Sequence, residues 1–279
     1  MARIRKLVAA LSRRGPHRVL RGDLAFAGLP GVVYTPEAGL NLPGIAFGHD
    51  WLTGVAGYSG LLEHLASWGI VAGAPDTQRG LAPSVLNLAF DLGTALDIVA
   101  GVRLGPGKIS VHPAKLGVAG HGFGGSAAVF AAAGMPAKPA AVAAIFPTFT
   151  SPPAEQPAAS LKVPGLILTT PADPKTLNSN ALSLSRAWDA ATLRIVRKAE
   201  ARGLAEGRRL TRVLGLGGSH RRTQKAVRAL ITGYLLATLA GDKTYRDFAD
   251  PDVHLPKTDP VDLEAPPITP EQKIAALLK

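Results

Sequence analysis

The chain is predicted to be an α/β protein, with a mostly parallel central sheet and helices on both faces. Three observations predict this. Short apolar runs alternate with longer helical stretches, the pattern of successive strand–helix units. One apolar run passes through a glycine-rich turn into a run of small residues, as where a strand crosses closely under a helix. A chain of 279 residues, 47% of them hydrophobic, is also long enough to close one large core of this kind.

Taken in order, residues 1–22 form a basic arm. Ile4, Leu7, Val8 and Leu11 recur at helical spacing within it, which predicts an amphipathic helix over 2–13. The body, 23–249, offers apolar strand candidates at 32–34, 44–47, 69–74, 115–119, 141–146, 163–168 and 210–214. Helical segments are expected at 58–67, 85–102, 123–133 and 221–240. From 250 to 279 the composition turns to proline and acid, the character of a tail lying extended over the surface. A short last helix is expected there. Thr269 would cap it, Pro270 suits its first turn, and Ile274, Leu277 and Leu278 share a face.

Composition removes several function classes. The chain has no cysteine, so disulfides, thiol nucleophiles and thiolate metal sites are excluded together. Its seven histidines show neither HxH nor HExxH spacing, so no metal and no cofactor is expected. The apolar run at 7–11 is ended at once by Arg13 and Arg14, too short for a signal-peptide core or a membrane span. A cytoplasmic location is therefore expected.

The net charge of +11 is unevenly spread. The arm holds Arg3, Arg5, Lys6, Arg13, Arg14, Arg18 and Arg21 with no acid, and a second basic cluster spans 186–228. Such patches concentrate anionic partners. No nucleic-acid module is legible and aromatics are scarce, so nucleic acid is not an expected partner. Peripheral contact with an anionic inner membrane face is one expectation for the arm. Docking of its apolar stripe on the chain's own core, or on a partner subunit, is the other.

The strongest motif is at 116–125, Leu-Gly-Val-Ala-Gly-His-Gly-Phe-Gly-Gly. It has the strand–turn–helix frame of a nucleophile elbow, G-x-S-x-G, in which glycines permit the close crossing and the middle residue carries the nucleophile. Here the frame glycines Gly120, Gly124 and Gly125 are present, but the middle residue is Gly122. Ser126, one turn into the helix, should point away from the elbow.

Over about 24–248 the chain resembles the dienelactone hydrolase, chlorophyllase and bacterial cutinase (polyester hydrolase) group. The family's Gly-His/Trp-Ser-Met-Gly-Gly corresponds to 120–125. Its leu-ala-ser-x-gly segment corresponds to Leu65, Ala66, Ser67, Trp68 and Gly69, followed by Asp76 and Thr77. Its strand to the acid corresponds to Val163 and Pro164, then Pro171, Ala172 and Asp173. Its Gly-Gly-Ser-His is unchanged at Gly217, Gly218, Ser219 and His220, and its Asp-x-x-Tyr-x-x-Phe stands at Asp242, Tyr245 and Phe248. The resemblance implies an α/β-hydrolase fold with Asp173 as the acid and His220 as the base. It also implies an oxyanion hole made by the amide of Phe123 and, from the loop after 45–48, the amide of His49. At 49–51 the chain reads His49, Asp50, Trp51, a departure from the family's aromatic residue. The family's binding-site tryptophan is also missing, since 146–149 reads Phe-Pro-Thr-Phe.

Two functions follow. Gly122, the arm and the tail suggest a degenerate hydrolase kept for binding or as an assembly or scaffold subunit, with protein partners meeting the arm or the tail. Asp173 and His220 suggest the alternative, an active carboxylic-ester or lactone hydrolase with non-standard chemistry.

Overall fold

The computed structural model describes residues 2–173, 176, 178–207, 219–259 and 261. The arm opens with helix α1 (Ala2–Leu11) and runs into strand β1 (Val19–Asp23), followed by β2 (Gly31–Pro36) and β3 (Gly39–Gly48). Strand–helix alternation then takes over. Helix α2 (Ser59–Ser67) leads to β4 (Val71–Pro75), α3 (Val85–Gly101) to β5 (Ile109–His121), and α4 (Phe123–Gly134) to β6 (Ala141–Ile145). A short α5 (Glu155–Ala158), β7 (Gly165–Thr169), α6 (Ala181–Ala187), β8 (Ala191–Val196), α7 (Arg221–Thr238) and β9 (Thr258–Asp259) complete it.

Among the described residues these strands form a sheet in the order β1-β2-β4-β3-β5-β6-β7-β8-β9. The six strands from β4 to β8 in that order run parallel, while β1, β2 and β9 pair antiparallel at the edges. The chain is thus an α/β protein with a mostly parallel sheet.

Strand side chains alternate between faces, and two cores result. Ile45, Phe47, Ile145, Leu166 and Leu168 point into the core beneath α1, α2 and α7. Ala46, Val118, Val142, Ala144 and Ile167 point into the core beneath α3, α4 and α6.

The arm is not a separate unit. Val8 and Leu11 are buried, and Ile4 and Leu7 pack against the first core, so the stripe docks on the chain itself. Each buried side chain of this size stabilises by about 1.5–3 kcal/mol. A lipid-facing stripe is therefore corrected to a core-facing one. The helix ends at Leu11 rather than 13, and residue 22 lies inside β1. The tail starts equally tied down, because β9 pairs with β8 at Ile195↔Asp259 and Val196↔Thr258. The strand expected at 210–214, Gly217, Gly218 and the helix expected after Thr269 lie outside the described residues. No helix among the described residues is long and apolar enough to cross a membrane.

Candidate functional site

β5 delivers the chain to Gly122 at φ 55°, ψ −119°, and α4 begins at the next residue. This backbone conformation lies outside the regions open to L-residues, as an elbow requires. The frame glycines are fixed by contact. A Cβ on Gly120 would lie within 3.0 Å of the Gly124 carbonyl, and one on Gly124 within 3.0 Å of the backbone of Gly48 and His49. β3, β5 and α4 can cross this closely only without side chains. Leu52, Gln78 and Phe146 also have positive φ (54°, 54° and 48°). They follow the ends of β3, β4 and β6, so backbone strain gathers along the sheet edge that holds Gly122.

The side-chain space of residue 122 is filled from another loop. A Cβ on Gly122 would fall within 3.0 Å of Oδ1, Cγ and Oδ2 of Asp50. Asp50 Oδ1 accepts the Phe123 N–H at 3.0 Å and the Trp51 N–H at 2.8 Å. Phe123 opens α4, so the carboxylate also sits at a helix N-terminus, where negative charge is favoured. The loop carrying it is pinned from below. The Asp50 N–H donates to the Tyr58 hydroxyl at 3.1 Å, which lies 2.8 Å from His121 Nδ1. Under the turn Phe47 lies tilted against Tyr58, and Tyr58, His121 and Phe146 pack edge to face in sequence.

The residues singled out in the sequence are only partly brought together. The Phe123 amide points into the site, but its acceptor is Asp50. The second N–H on that oxygen comes from Trp51, not His49. His49 is fully buried, its ring nitrogens 3.0 Å from the Asp50 carbonyl and 2.7 Å from the Thr77 carbonyl. It ties the loops after β3 and β4 together. Ser126 is buried and donates to the Thr148 carbonyl at 2.6 Å, so its hydroxyl is turned from the elbow as expected.

Asp173 and His220 each engage other partners. Asp173 Oδ2 accepts the Thr169 hydroxyl at 2.8 Å and the Thr170 N–H at 2.7 Å. His220 immediately precedes α7, with Nδ1 2.7 Å from the Thr223 hydroxyl. That hydroxyl also accepts the Glu200 N–H at 3.1 Å. Among the described residues no hydrogen bond joins Asp173 to His220. A base needs its Nδ1 held by the acid to present the correct tautomer, and here Thr223 takes that place.

Asp50 is the residue that sequence reasoning missed. Its sign was the same departure at 49–51 that marked the oxyanion loop as unusual. Among the described residues no three of His, Asp and Glu converge as metal ligands. No family model matches the chain, and no curated protein matches it in sequence.

Proposed function

We propose that this chain is a catalytically degenerate α/β-hydrolase-fold protein of the dienelactone hydrolase, chlorophyllase and bacterial cutinase kind, working in the cytoplasm by binding or as an assembly or scaffold subunit. One observation carries the reading. The Asp50 carboxylate occupies the space of the nucleophile's side chain and takes up the Phe123 N–H meant for an oxyanion. A substrate carbonyl would meet a carboxylate where catalysis needs a hydroxyl and a free donor.

The strand–elbow–helix frame supports the hydrolase ancestry. Trp51, Leu52 and Phe149, each about half exposed at 50%, 55% and 48%, stand on the loops after β3 and β6 at the same edge. They support a binding face. The alternative, ester or lactone hydrolysis through Asp173 and His220, is weakened by the hydrogen bonds that engage each of them elsewhere.

Purified protein tested with a fluorophosphonate probe and a short p-nitrophenyl ester should show no covalent labelling and no serine-dependent turnover. Labelling, or turnover reaching about 1 per second and lost in His220→Ala, would overturn the reading.

A further inference from the structure

A cavity of about 450 Å³ opens between α1, α7 and the turn at 255–258. Four of its lining residues are the cations Arg5, Arg13, Lys225 and Lys257, and none is an acid. None of the four has an ion-pair partner among the described residues. Their neighbours do, since Arg14 pairs with Glu63, Arg197 with Asp259 and Arg228 with Glu206. What sets the cavity apart is that four bases line one cleft with no acid among its lining residues.

The turn supplies a second, independent observation. The Thr258 N–H donates to the Leu255 carbonyl at 3.2 Å, with Pro256 second and Lys257 third at φ 71°. A turn with proline second and a positive φ third is type II, and its third place belongs to glycine or asparagine. A lysine held there keeps its side chain against a backbone preference, a strain that also occurs where residues are held at ligand sites. The turn is also fixed in place, because the Arg197 N–H donates to the Lys257 carbonyl at 2.9 Å. Burial and the neighbouring Lys225 ammonium together hold the Lys257 amine below the usual lysine range, as expected of like charges crowded without a counter-ion.

We infer that this cleft binds a phosphate-bearing polyanion. A single carboxylate would leave most of the positive charge unmatched, whereas two or more phosphate charges balance it. The guanidinium forks of Arg5 and Arg13 suit phosphate oxygens. The apolar stripe of α1 is spent on the core, so the attachment works by charge rather than by insertion, and it weakens with salt.

The test uses the full chain at low salt with two probes: inorganic pyrophosphate by titration calorimetry, and phosphatidylcholine vesicles with or without phosphatidylglycerol by co-sedimentation. The variant is Lys225→Gln with Lys257→Gly, since glycine suits the turn. Its control, Arg21→Gln with Lys243→Gln, removes equal charge from exposed positions elsewhere. Binding of one probe that weakens about tenfold or more in the cleft variant alone is expected. Pyrophosphate binding identifies a soluble phosphate ligand, and binding confined to phosphatidylglycerol vesicles identifies a lipid headgroup. Absence of binding to both probes, or equal loss in the control, overturns the inference.

Discussion

The elbow and the arm were legible to different depths. At the elbow the backbone is what the sequence implies, with Gly122 in the strained conformation and Gly48, Gly120 and Gly124 in mutual contact. The side-chain space of residue 122 is instead filled by one carboxylate from a neighbouring loop. At the arm the fold takes the docking alternative over the membrane-facing one, and the apolar stripe is closed on the core while the basic side stays open. Close packing fixes the backbone of the turn whatever fills its side-chain space. A stripe of four apolar side chains follows whichever surface buries it.

The largest effect should come from the elbow's frame. Gly120→Ala places a methyl group against the Gly124 carbonyl, where backbone rather than a flexible side chain must give way. It should destabilise the chain by on the order of 4 kcal/mol in urea denaturation. A change near zero would mean that the crossing is looser than described and would break the contrast with the arm.

The arm face should be the acid-sensitive one. His64 on α2 is buried, and burial together with the Arg228 charge lowers its pKa from 6.5 to about 4, against a smaller opposing effect of the Leu11 carbonyl. The folded state therefore refuses a proton that the unfolded chain accepts. The stability it contributes is full above pH 6.5 and is lost as pH falls toward about 4. At about 1.4 kcal/mol per pH unit, the loss approaches about 3 kcal/mol. Denaturation midpoints measured across that window should fall for the wild type and fall less for His64→Leu. Parallel curves would show that His64 does not govern the arm face.

The parallel strands were legible because each is a short apolar run. β8 was not, because Arg194 interrupts the run Ala191–Val196. The guanidinium is buried there, donating to the carbonyls of Val253 and Asp250, and no local pattern announces such partners. β1 and β9 are edge strands, short and polar, and lack the two-sided apolar character that marks a central strand. Gly122 was legible because its neighbours form a contiguous frame. Asp50 was not, because it meets Phe123 from 73 residues away, a contact made by the fold and not by spacing. The same limit applies to Asp173 and His220. Their motifs predict a pair, whereas in the structure Asp173 bonds to Thr169 and Thr170 and His220 to Thr223, partners that no motif spacing announces.

The central claim is that the Asp50 carboxylate fills the side-chain space of residue 122, and a double-mutant cycle between Gly122→Ala and Asp50→Gly tests it most directly. In the wild type, Gly122→Ala must bear backbone strain of about 1–3 kcal/mol and also displace the carboxylate from two N–H donors. In the Asp50→Gly background only the strain remains, so the same substitution should destabilise by at least about 1 kcal/mol less. An identical loss in both backgrounds would contradict the account, because residue 122 and Asp50 would then share no space.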